Sequence, residues 1–228
     1  MSQNPKSGPA QALQRARLYT FVDTAYLNGR SVASVAALLA KGGSDIIQLR
    51  AKGVDIPRVS QLAQEAQRAL EGSGVVLVLN DHAGLAAQLG IEACHLGQED
   101  FFDEGHHKAG DVFPEGVQPL LGLSSHAPEQ AIRAVEAGAS YLGVGPVYPT
   151  GTKPGRPAVT LEYVRWCAAH VMIPWFAIGG IHEGNLDAVM DAGARRICVV
   201  SAILQAPNIA KACQELKVRL ISRPLETN

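Results

Sequence analysis

The segment Gly145-Pro146-Val147-Tyr148-Pro149-Thr150-Gly151-Thr152-Lys153 carries two hydroxyls and an ammonium within four residues, directly after the apolar run Tyr141-Leu142-Gly143-Val144. Such donors suit phosphate or diphosphate oxygens. Its glycines and prolines permit close approach to a ligand and limit the freedom of the unfolded chain. A solvated turn has the same composition, so other groups must decide. Gln48, Arg50 and Lys52 are spaced by two, which on a strand points all three the same way. Two cations and an amide there suit an anion, although a solvated strand end reads the same. Asn80-Asp81-His82 and His95-Leu96-Gly97-Gln98-Glu99-Asp100 follow two further apolar runs. Asp81 and Asp100 beside cations suit Mg²⁺, which takes few carboxylates and keeps substrate oxygens as ligands. Each aspartate alone also suits a helix N-cap.

Gly122-Leu123-Ser124-Ser125-His126 offers a hydroxyl donor, or a cap for a helix beginning at Pro128; Glu129 is not at capping-box distance from Ser125. Gly179-Gly180 and Val200-Ser201 supply backbone amides of the kind that hold phosphate. His82, His95, His126 and His182 fall near strand ends without a second histidine at metal-ligand spacing on a helix, and read as structural. His106, His107 and His170 read as solvent-facing.

For these groups to meet, strand ends must share one rim. Short apolar runs at 18–22, 45–49, 75–79, 93–96, 119–123, 141–144, 175–178 and 196–200 predict strands. Amphipathic stretches at 32–41, 58–70, 84–89, 128–137, 161–170, 183–191 and 207–220 predict helices between them. The stretch 102–115 is polar and holds at best a short helix. Continuous rather than alternating apolar runs fit strands buried on both faces of a parallel sheet. Gly42-Gly43, Gly138 and Gly193 each close a helix immediately before a strand, a weak repeat that suits a closed barrel of βα units. An open doubly wound sheet would carry a glycine-rich fingerprint after its first strand, and Asp23-Thr24-Ala25 has none. The expected fold is α/β, a single-domain (β/α)8 TIM barrel over 17–221, with a disordered lead at 1–16 and a tail at 222–228.

The chain has 228 residues and a net charge of −1, which gives no general attraction to nucleic acid or to an anionic membrane. No apolar run approaches a membrane-spanning length, and the first 14 residues lack an apolar core of signal-peptide type. Cys94, Cys167, Cys198 and Cys213 show no CxxC pair, so zinc or redox chemistry is not expected and a reduced, cytoplasmic setting fits. The partners expected are small molecules. Oligomeric state is open, and a homo-oligomer is compatible with the sequence.

Taken together, Ile47-Gln48-Leu49-Arg50-Ala51-Lys52, Asn80-Asp81-His82, the His95–Asp100 run, Gly122 to His126, Gly145 to Lys153, Ile178-Gly179-Gly180-Ile181 with Asn185, and Val200-Ser201-Ala202-Ile203 resemble the thiamine-phosphate synthase family over nearly the whole barrel. The resemblance implies a transferase that joins 4-amino-5-hydroxymethyl-2-methylpyrimidine diphosphate to a thiazole phosphate, giving thiamine monophosphate and diphosphate. It implies that the stretch Gln48, Leu49, Arg50, Ala51, Lys52, with Asn80, Ser124 and Lys153, binds the pyrimidine diphosphate. Arg50, Ser124 and Lys153 would serve catalysis. Asp81 and Asp100 would bind Mg²⁺. Thr150, Gly151, Thr152, Gly179, Gly180, Val200 and Ser201 would hold the thiazole phosphate.

The chain departs from the family at Ala51, where many members carry an acid, and alternation turns Ala51 away from Arg50. Its 103–118 segment is longer than usual. A thiazole tautomerase of the same superfamily would need an acid/base residue, with His126 a candidate, but has little use for Asp81, Asp100 or the Thr-Gly-Thr-Lys loop. A Schiff-base aldolase would want a lysine within a strand, and none is there. A non-catalytic phosphate-binding barrel would not require the two aspartates.

Overall fold

The computed structural model describes residues 8–116, 119–150 and 157–225. Eight parallel strands close into a barrel in sequence order: β1 (Leu18–Asp23), β2 (Ile46–Arg50), β3 (Val76–Asn80), β4 (Ala93–Leu96), β5 (Leu120–Ser125), β6 (Tyr141–Val144), β7 (Trp175–Ile178) and β8 (Ile197–Val199). The strands are apolar throughout because side chains on one face fill the barrel and those on the other meet the helical ring. Leu18, Ile46, Leu123, Leu142 and Ile197 are all fully buried.

Helices α1 (Pro9–Arg15), α2 (Val32–Lys41), α3 (Ile56–Leu70), α4 (Ala83–Gln88), α5 (Gln98–Asp103), α6 (Pro128–Glu136), α7 (Thr160–His170), α8 (Leu186–Asp191), α9 (Ser201–Leu204) and α10 (Ile209–Ile221) surround the sheet. Several begin on side-chain caps: Ser31 accepts from the Ser34 amide, Asp55 from Arg58 and Asn208 from Lys211. The helix-to-strand repeat is a set of Schellman ends. Gly43, Gly138 and Gly193 take φ of 88°, 89° and 103°. The amides of Ser44, Ala139 and Ala194 return to the carbonyls of Leu39, Ala134 and Val189.

Two expectations change. Residues 9–15 are not a disordered lead but helix α1, whose Leu13 is 3% exposed within the core. The β4–β5 connection holds only short elements, as the polar 102–115 stretch predicts: α5 and a 3-10 turn at Ala109–Val112, with the buried rings of Phe101, Phe102 and Phe113 closing that side. The segment after β8 is the short helix α9 rather than a loop.

Candidate active site

Side chains from seven strands, Cys198 and Val199 of β8 among them, converge on one cavity at the C-terminal end of the barrel. It is lined by Tyr19 and Phe21 of β1, Gln48 and Arg50 of β2, Asn80 of β3, His95 of β4, Ser124 of β5 and Phe176 of β7. The rim adds His126, Thr150, Gly179, Gly180, Val200 and Ser201. Strand alternation explains the choice on β2: Gln48 and Arg50 face in, while Leu49, at 1% exposure, and Ala51 do not reach the cavity. The same rule separates the paired serines. Ser124 turns inward, its Oγ 3.1 Å from His95 Nε2. Ser125 points outward and hydrogen-bonds the Tyr163 hydroxyl of α7.

Lys52 does not join Gln48 and Arg50. β2 ends at Arg50, the chain turns at Lys52-Gly53, and strand alternation no longer governs direction. Lys52 Nζ instead lies 2.5 Å from Asp81 Oδ2, with the lysine side chain 56% exposed. Arg50 is set by a residue that the motif reading left out. Asp23, 1% exposed at the end of β1 and in register with Arg50, accepts from Arg50 Nη1 at 2.8 Å. A short, charge-assisted contact of this kind fixes guanidinium direction. The signal was an acid at a strand's C-terminal end beside a cation on the next strand.

Asp81 follows β3 with φ 64°, uncommon for a non-glycine residue, and its amide donates to the His95 carbonyl at 3.0 Å. Asp100, in the first turn of α5, folds back over Gly97: a Cβ there would lie 2.5 Å from Asp100 Oδ2. Neither carboxylate lines the main cavity; Asp81 borders a second, more open one with His82, Glu104, His106 and Asp111. Two hard carboxylates at the ends of adjacent strands fit Mg²⁺. Among the described residues no three His, Cys, Asp or Glu side chains form a metal-holding group, so an ion here would complete its shell from substrate and water.

Gly179 and Gly180 serve the loop that follows β6 as well as the cavity. Tyr148 donates its amide to the Gly179 carbonyl at 3.1 Å, and Val147 to the Ile178 carbonyl at 2.8 Å. A Cβ on Gly180, whose φ is 64°, would stand 2.7 Å from Tyr148 Cβ. Asn185 Nδ2 donates to the Gly180 carbonyl at 2.8 Å and holds the turn from behind. His126 Nδ1 donates to the Gly145 carbonyl, so this histidine ties the β5 end to the β6 end while lining the cavity. Gly151, Thr152 and Lys153 lie outside the described residues.

Among the described residues, the cavity's thiol and phenol are held in their neutral forms. Burial pushes the Cys198 thiol well above its ordinary value, and burial, with Tyr141 nearby, does the same to the Tyr19 phenol. Both are neutral at working pH. The site offers hydrogen-bond donors and cations, with carboxylates beside it.

A closed parallel barrel with polar side chains gathered at its C-terminal rim defines a (β/α)8-barrel enzyme. Residues 18–203 match the family described as thiamine monophosphate synthase. The chain is 48% identical over 180 residues to the thiamine-phosphate synthase of Thermus thermophilus, a match covering 78% of this chain and 84% of that one. It is 40% identical over 227 residues to that of Mycolicibacterium smegmatis, covering 93% and 95%. Among solved structures, the thiamine phosphate pyrophosphorylase from Pyrococcus furiosus superposes with a TM-score of 0.79 at 26% identity, covering 93% of this chain and 98% of that one. The chain belongs to the thiamine-phosphate synthase family and is an enzyme of that family. Among the described residues, no helix is long and apolar enough to cross a membrane.

Proposed function

We propose that this enzyme condenses 4-amino-5-hydroxymethyl-2-methylpyrimidine diphosphate with thiazole phosphate to give thiamine monophosphate and diphosphate. The observation that carries the reading is one mouth with two sets of anchors. Gln48, Arg50, Asn80 and Ser124 come from β2, β3 and β5, while Gly179-Gly180 and Val200-Ser201 follow β7 and β8. Holding two substrates against one another supplies much of the rate when no covalent step is needed.

In this reading Arg50, held by Asp23, and Lys52 face the diphosphate, with Ser124 Oγ donating to it. Lys153 joins them by family resemblance, and Thr152 joins the thiazole phosphate site on the same ground. Mg²⁺ on Asp81 and Asp100 would neutralise charge on the leaving diphosphate. The carbon–oxygen bond to diphosphate breaks, the aminopyrimidine ring delocalises the resulting cation, and the thiazole nitrogen attacks the same carbon. Cys198 and Tyr19, both neutral, do not compete with the thiazole nitrogen. The Gly179–Gly180 and Val200–Ser201 amides hold the thiazole phosphate so that its nitrogen meets the cation before water does.

The purified protein should release diphosphate and form thiamine monophosphate only when both substrates and Mg²⁺ are supplied. No thiamine monophosphate under those conditions overturns the assignment, and turnover of the thiazole phosphate alone would support a tautomerase.

A further inference from the structure

Beneath the cavity, three side chains form a chord across the barrel interior. Gln48 Nε2 lies 2.5 Å from the Tyr19 hydroxyl, which lies 3.1 Å from the Tyr141 hydroxyl. Gln48 and Tyr19 line the cavity; Tyr141 does not. All three are buried, at 2%, 2% and 1% exposure. Tyr141 reaches Tyr19 because its neighbour on β5, directly in register, is Gly122. A Cβ at Gly122 would lie 2.1 Å from Tyr141 Cζ and 2.4 Å from its hydroxyl oxygen. Phe176 wedges edge-on against both phenol rings, at 5.3 and 5.9 Å, which limits how far either can turn.

An amide nitrogen only donates, so the Tyr19 oxygen accepts from Gln48. Burial keeps both phenols protonated at neutral pH. A phenol has one proton, and Tyr19 can send it to Tyr141 or to Gln48 Oε1. When Tyr141 takes it, Tyr19 shows Gln48 lone pairs alone. Only the NH2 end of the amide can then dock, and Oε1 is left for the cavity.

We propose that Tyr141 is a positioning residue: by accepting the Tyr19 proton it fixes the Gln48 amide with its carbonyl toward the substrate, so the pocket selects a ring that offers a hydrogen-bond donor there. The identity of that donor, the amino group of the aminopyrimidine, rests on the function proposed above; the orientation of Gln48 does not. A 4-oxo pyrimidine presents an acceptor at the same point and leaves two oxygens facing each other, the mismatch that a buried polar site rejects most strongly.

Tyr141→Phe keeps the ring and removes only the hydroxyl. Tyr19 can then turn its proton to Gln48 Oε1, and the amide can rotate. The KM for the aminopyrimidine diphosphate should rise about fivefold, with the KM for thiazole phosphate unchanged. Preference for the 4-amino over the 4-oxo diphosphate should fall by a similar factor. In a Gln48→Ala background Tyr141→Phe should add nothing, because it acts through Gln48; a purely structural effect would persist there. Calorimetric binding of the two diphosphates reads the same preference without turnover. It therefore still tests the orientation should the wild type fail to make thiamine monophosphate, a failure that would remove only the functional assignment. Unchanged preference in Tyr141→Phe, or an undiminished effect in Gln48→Ala, overturns the inference. If Tyr141→Phe does not fold, Tyr19→Phe gives the same reading, with lost coupling to Gln48 as the expected result and full additivity as the contrary one.

Discussion

At the N-terminal end of the barrel, Arg17 donates to the carbonyls of Arg195 at 2.6 Å, Arg223 at 2.5 Å and Leu220, while Asp45 accepts from the amides of Arg17 and Leu18 and from Lys217 Nζ. At the C-terminal end, Arg50 pairs with Asp23, and Lys52 pairs with a partly exposed Asp81. The residue types are the same and the uses differ. Below, charge is spent on the chain itself: Arg17 and Asp45 staple the start of β1 to β2, β8 and the end of α10. Burial and the nearby Arg195 pull the Arg17 pKa down, and Asp45 opposes them, yet a guanidinium stays charged. Above, Asp23 uses one carboxylate to aim one cation, and the partly exposed Lys52–Asp81 pair, with Asp81 bordering the second cavity, can be re-partnered by a ligand. A barrel keeps stability and chemistry at opposite ends because the two make opposite demands on a charged group: saturation in one case, spare coordination in the other.

Removing the lower staple should have the largest effect. Arg17→Ala takes the charged donor from the carbonyls of Arg195, Leu220 and Arg223, while Asp45 keeps its two amides and Lys217, and is expected to lower unfolding free energy by about 3 kcal/mol, with kcat/KM within roughly twofold of the wild type. Urea unfolding and steady-state kinetics on one sample check both halves, and a matching loss of kcat/KM in the folded enzyme would break the division of labour. Next come Asp81→Asn and Asp100→Asn, each expected to cost about 1.5–3 kcal/mol of transition-state stabilisation, or roughly 10- to 100-fold in Mg²⁺-dependent turnover. A Mg²⁺ titration of each variant decides it, and full activity with an unchanged Mg²⁺ requirement counts against the metal assignment. Asp23→Asn sharpens the contrast within the mouth: Arg50 keeps its charge but loses its aim, and the KM for the pyrimidine diphosphate should rise about tenfold with that for thiazole phosphate unchanged.

The smallest effect concerns pH. Burial pushes the thiols of Cys94, Cys167 and Cys213 up to about 12, while unfolded thiols ionise near pH 8.5–9. Above that pH only the unfolded chain gains by ionising, so the stability is full below about pH 9 and is lost as pH rises toward 12. The melting temperature should be flat from about pH 7 to 8.5 and fall above it, and a thiol reagent should label the native protein slowly. Rapid labelling of the native fold would show that these cysteines are not sealed.

The amino-acid sequence by itself determined the order of the eight strands and of the main helices between them, the Schellman ends at Gly43, Gly138 and Gly193, and the shared inward direction of Gln48 and Arg50. Each is encoded within a few neighbouring residues: an apolar run, a helix-ending glycine, a two-residue period. The residues alone left Ser124 and Ser125 open, and their partners, His95 and Tyr163, separate them. Tertiary structure alone decided what depends on closing the barrel. Lys52 leaves its strand-mates for Asp81 because the strand has already ended. Asp23 finds Arg50 across the β1–β2 register, and Gly180 is kept bare by Tyr148 rather than by a ligand alone. Tyr141 meets Tyr19 over the empty place at Gly122, although 122 residues separate the two tyrosines in the chain. Such meetings depend on strand tilt and stagger around a closed sheet, which local pattern does not specify.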